Sequence, residues 1–167
     1  MLTASLEGFG DLAARFEALP AALQAVVRAK AADLAERLRI HVVDDKLSGQ
    51  VLRSKTGALA ASIGGAVTVD GDQITARVFS PGDVKYARIQ EYGGRTAAHQ
   101  IVPMKSRVLA FIAGGGTVFA MRVQHPGSTI PERSYLRSSL ADMAGEIASE
   151  LKAAVVDAVQ DKIGGGG

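Results

Sequence analysis

Three histidines, His41, His99 and His125, and no cysteine set the limits of the chemistry this sequence can carry. His41 and Asp45 stand four residues apart, the spacing that places two side chains on one helical face, as a metal-binding pair requires. His99 and His125 fall near predicted strand ends, where either would be the third ligand of a metal-dependent hydrolase. Two ligands do not make a site, and a histidine on a charged helix end is the expected role of His41. Asp44 and Asp45 are adjacent, so on a helix they diverge by about 100 degrees and cannot clasp one substrate atom. No serine stands in a Gly-x-Ser-x-Gly elbow, and Ser48 and Ser128 read as loop serines. Lys55-Thr56-Gly57 holds the parts of a phosphate loop in the wrong order. Gly114-Gly115-Gly116 precedes a strand-like run rather than the helix an anion cradle needs. We therefore expect no catalytic, cofactor-binding or metal-ligating set.

The remaining chemistry is charge. Lys and Arg number 19 against 17 Asp and Glu, too small a surplus to draw the whole molecule onto nucleic acid. Local cations are Arg53 and Lys55 in one loop, Arg95 after a double glycine, and Lys105 with Arg107 between two strands. Gathered at one end of a sheet they would form a cationic rim facing DNA or an acidic protein surface. A small DNA-binding module is thus one alternative. Without cysteine there are no disulfides, which suits a reducing cytoplasm. No apolar run approaches the roughly 20 residues of a membrane span, and the N-terminus lacks the basic-then-apolar order of a signal peptide. We expect a soluble, unexported protein with no membrane partner.

The elements that would position these groups follow from periodicity. At 167 residues and 47% apolar content the chain suits one domain with a real core, residues 1–163, followed by a flexible glycine tail, 164–167. Leu12, Phe16 and Leu19, then Leu23, Val27, Leu34 and Leu38 after Pro20, predict helix, break, helix. The second segment, from residue 21 to about 47, would run roughly 40 Å, long enough to meet another subunit. A loop then leads to a short helix from about Gly57, capped by Thr56, with Leu59 and Ile63 inward. Residues 66–70 and 73–79 around Gly71-Asp72 form the clearest hairpin signal. Residues 100–103, 108–112 and 117–123 read as three further strands. Leu136, Leu140, Met143, Ile147, Leu151 and Val155 mark the apolar stripe of a long last helix. Its other face, with Arg137, Asp142, Glu146, Glu150, Lys152, Asp157 and Lys162, is a solvated surface or a seam of ion pairs. The expected fold is α+β, with a mainly antiparallel sheet of about five strands between a long N-terminal and a long C-terminal helix.

Between the hairpin and the later strands lies Tyr86-Ala87-Arg88-Ile89-Gln90-Glu91-Tyr92-Gly93-Gly94, one or two helical turns that stop abruptly. Tyr86, Ile89 and Tyr92 are the residues expected to pack this helix on the sheet, with the glycines reversing the chain. Glu91 either faces a neighbouring subunit or pins the fold through Arg88 or Arg95.

Four pieces in order carry a resemblance: Thr56-Gly57-Ala58-Leu59 with Ser62-Ile63, Tyr86-Ala87 with Glu91-Tyr92-Gly93, His125-Pro126-Gly127, and Pro131 with Tyr135-Leu136. Together they resemble the small tail-component proteins of long-tailed bacteriophages, the tail-completion or head-to-tail joining family. One departure is the longer interval from proline to aromatic, filled by Glu132 and Arg133. The resemblance implies a virion protein without catalytic residues or cofactors, forming a ring, hexameric in that family, in the neck or upper tail. Gene transfer agents would carry a similar protein, and a tail terminator ring is the nearest alternative. The implied partners are copies of itself, the adjacent neck or connector ring, tail-tube or terminator proteins, and DNA passing through the channel. Candidate interface residues are Arg53, Lys55, Arg88, Glu91, Tyr92, Arg95 and Tyr135.

Overall fold

The computed structural model describes residues 2–4, 21–53, 55–71 and 73–164. The predicted first helix around Leu12, Phe16 and Leu19, and the break at Pro20, lie outside the described residues, as do tail residues 165–167. The elements in chain order are β1 (Leu2–Ala4), α1 (Ala21–His41), α2 (Ala58–Ser62), β2 (Gly64–Asp70), β3 (Gln73–Ser80) and α3 (Ala87–Tyr92). They continue with β4 (Gly94–Arg95), β5 (His99–Ile101), β6 (Leu109–Ala113), β7 (Gly116–Ala120), β8 (Val123–His125), β9 (Thr129–Ile130) and α4 (Leu136–Gly164). Gly164, expected to begin the tail, instead ends α4.

Periodicity gave α1 and α4 correctly. α1 buries Leu23, Leu34 and Leu38 on one face, then widens into a π-helical turn, Val42–Lys46, that buries Val42 and Lys46. α4 buries Leu136, Met143 and Ile147. The two helices run along one another, and α1 also packs on β2 and β3. Leu59 and Ile63 enter the same core from α2 and its end, with Val78 from β3 and Tyr135 from the start of α4. Each such large apolar side chain contributes about 1.5–3 kcal/mol by leaving water.

Much of the charged face of α4 is spent inside the chain. Glu150 accepts from Lys30 Nζ at 3.2 Å and from Arg37 at 2.6 Å, and Glu146 also pairs with Arg37. Asp142 takes Lys46 Nζ at 2.6 Å and His41 Nε2 at 3.3 Å. The seam of ion pairs joins α4 to α1 and to its terminal turn.

Among the described residues all strand pairing is antiparallel, but it is divided. β1, β3 and β2 form a three-stranded sheet in that order. The β2–β3 hairpin turns as predicted, with Val67 opposite Ala76 and Asp70 opposite Gln73, and Gly71 at a left-handed φ of 55°. The later strands nest instead of joining this sheet: β4 pairs β9, β5 pairs β8, and β6 pairs β7. The predicted strand over 117–123 is two strands, because the chain changes partner after Ala120 and pairs with β5 only from Val123. The nested ladders make an arm, closed at its tip by Gly114 and Gly115 at φ 59° and 81°.

Candidate functional site

The arm leaves the body at a corner built from α3 and the first turn of α4. A helix start leaves its first N–H groups without intrahelical partners and carries partial positive charge. Local sequence here offers no acidic cap, since the first turn of α4 holds no Asp or Glu. Glu91, at the end of α3, supplies it from a distance. Its Oε2 accepts from the backbone N–H of Tyr135 at 2.7 Å and of Leu136 at 2.9 Å. Its Oε1 accepts from Ser134 Oγ at 3.0 Å, Arg137 N at 3.0 Å and Arg137 Nε at 3.1 Å. The carboxylate is fully buried and its two oxygens are saturated.

Further contacts tie the corner together. Arg137 Nη2 donates to the Glu91 carbonyl at 3.1 Å and to Glu132 Oε1 at 2.8 Å, and its guanidinium lies 4.6 Å from the centre of the Tyr92 ring. Tyr135, buried under α3, donates its hydroxyl to the Ala87 carbonyl at 3.3 Å. Burial, and secondarily the charge of Glu91, push the Tyr135 hydroxyl well above its ordinary pKa, so it stays a donor. At Gly93 the chain turns with φ 67°, and a Cβ there would meet Glu132 N at 2.8 Å and Ile130 O at 3.1 Å. The turn therefore demands glycine.

The corner corrects three expectations. The inward face of α3 is Ala87 and Glu91, while Tyr86 and Tyr92 are exposed, because a saturated carboxylate takes the place an aromatic would otherwise fill. Glu91 is a pin, but its partner is Arg137 and the start of α4; neither Arg88 nor Arg95 reaches it. As proposed contacts, Glu91 and Tyr135 are corrected for the same reason: both lie at 0% exposure with their polar atoms committed inside the chain. Arg53, Lys55, Arg88, Tyr92 and Arg95 are exposed, and those four cations make no ion pair among the described residues.

The residues of the alternative metal-hydrolase reading meet a different geometry. His41 Nδ1 lies 2.5 Å from Asp45 Oδ2, so the predicted pair does share a face, and the other ring nitrogen of His41 faces Asp142 in the α1–α4 seam. His99 and His125 pair with each other across β5 and β8, their rings stacked with centroids 5.0 Å apart. Among the described residues no group of three His, Asp or Glu is arranged to hold a metal ion.

Sequence reasoning missed Arg137 and Ser134 as partners of Glu91. It also missed the surface of the arm, where Met104 is 95% exposed, Ile112 83%, Met121 76% and Phe119 66%. The signal was present: residues 108–112 are apolar at every position, so a strand there shows apolar side chains to both sides.

One family profile matches residues 10–93, half of the chain, and its description is "Bacteriophage HK97-gp10, putative tail-component". The chain belongs to this HK97-gp10-like family. The match takes in the Thr56 to Ile63 piece and the Tyr86 to Gly93 piece, and ends before His125-Pro126-Gly127 and Pro131. In this HK97-gp10-like chain the second and fourth pieces are physically one unit, since Glu91 of the former caps the helix opened by Tyr135 and Leu136 of the latter. No curated protein and no solved structure matches the chain.

Proposed function

We propose that this HK97-gp10-like protein is a structural subunit of the neck or upper tail of a long-tailed phage or a phage-like particle such as a gene transfer agent. It assembles as a ring, hexameric as in the proteins it resembles, that joins or completes the tail at the head interface. It acts by shape and contact, without turnover. The observation that supports this most is the arm: apolar side chains as exposed as Met104, Ile112 and Phe119 are the surface of an unfinished interface, not of a protein that works alone. The pinned corner at Glu91 fits the same use, since it fixes the angle at which the arm leaves the body.

On this reading Arg53, Lys55, Arg88 and Arg95, with the ring of Tyr92, meet neighbouring rings, tail-tube or terminator proteins, or DNA in the channel. Mass spectrometry of purified particles together with gold-labelled antibody tests the proposal. The expected result is the protein in stoichiometric amounts with label at the head–tail junction. Absence from particles, or label along the tail shaft or at its distal tip, overturns it.

A further inference from the structure

Building on the ring reading, we propose that the arm of one copy seats on the α1–α4 face of the next copy, so each subunit gives one arm and receives one. The arm needs cover on two sides. Cross-strand partners share a face, so Leu109, Phe111 and Val118 lie on one side of β6–β7, and Ala110, Ile112 and Phe119 on the other. A two-stranded ribbon is marginal alone in water, and β6 and β7 pack chiefly on each other. Their own chain leaves Phe111, Ile112, Val118 and Phe119 exposed, the second and last most of all.

Charge selects the partner. No Asp or Glu stands between Glu91 and Glu132, while Arg95, Lys105, Arg107 and Arg122 do. The rest of the chain then holds 15 of the 19 Lys and Arg against all 17 Asp and Glu, so a second copy offers its arm an oppositely charged body. That body has a partly apolar depression. This cleft measures about 310 Å³ between α1 and α4 and is lined by Val26, Ala153, Ala154 and Ala158 together with the charged Lys30, Glu150 and Asp157. Lys30 is already held by Glu150, whereas Asp157 pairs with nothing among the described residues. Arm and cleft are different surfaces, so the contact is head-to-tail, the kind that closes into a ring.

Two variants with changes at exposed positions test this: I112D/F119D on the arm and A153R/D157K on the cleft. Each is checked by circular dichroism and melting, then sized by light scattering. The expected result is a wild type that assembles, and two folded variants whose association is weakened at least about 100-fold. Mixed in equal amounts, the variants should form a dimer and nothing larger, because one intact arm and one intact cleft remain. If the wild type assembles and either variant keeps its mass, the arm-to-cleft contact is overturned while the ring reading stands. A mixture that stays monomeric also overturns it. A monomeric wild type overturns it as well, and if that monomer binds duplex DNA in a steeply salt-dependent way lost in I112D/F119D, the arm's partner is nucleic acid.

Discussion

Glu91 shows how much one side chain can hold. Replacing it with Ala would leave the N–H groups of Tyr135, Leu136 and Arg137 without their acceptor and the Arg137 guanidinium without its buried partner. The expected cost is about 3–5 kcal/mol, read by chemical denaturation. Glu91→Gln keeps the shape but turns an amide NH2 toward donors, and should cost about 1–3 kcal/mol. Gly93→Ala should lose about 2 kcal/mol or more, because a left-handed turn is combined with a backbone collision. Tyr135 sets a limit at high pH. Its pKa is raised by folding, so its share of stability is intact below about pH 10 and is lost above it as the unfolded phenol ionises. Tyr135→Phe should flatten the alkaline arm of a melting profile. None of this network was legible locally. The cations nearest Glu91 in sequence, Arg88 and Arg95, are three and four positions away, whereas the donors stand 43 to 46 positions along the chain. A buried carboxylate also inverts the apolar pattern that assigns the faces of a short helix.

Among the elements, the helices and the β2–β3 hairpin were readable because each obeys a period and a turn rule that local residues satisfy by themselves. The arm's strands were read close to their places, over 100–103, 108–112 and 117–123, but their separation from the sheet was not, since strands of three to five residues with apolar side chains on both faces carry no alternation to phase them. The α1–α4 seam was half legible. Its charges were visible on α4, but which of them meet α1 depends on packing. Hydrogen bonds and charge from Lys46 and His41 hold Asp142 below its ordinary pKa, and those from Arg37 and Lys30 do the same for Glu150. Carboxylates depressed by folding contribute above their unfolded values, near 4, and that contribution fades as pH falls through the folded ones. The melting temperature should therefore hold steady from pH 7 to about 5 and fall below it. Asp142→Asn should make that fall shallower.

At the scale of the molecule, the body is a layered α+β unit and the arm is a side branch whose two roots are hydrogen-bonded together, Gly94 opposite Ile130 and Arg95 opposite Thr129. Gly127 closes the root further, its φ of 87° letting the chain pass the Thr96 carbonyl where a side chain would collide. Because both roots leave from one place, the body has no means of sensing how long the branch is. Replacing residues 97–127 with a short Gly-Ser link should leave a folded body whose melting temperature moves by only a few degrees, while assembly is lost. The family match stops at Gly93, where the branch departs. The architecture thus separates two kinds of work: a body that closes on its own core, and a branch whose length and outline can change without redesigning the part that carries it.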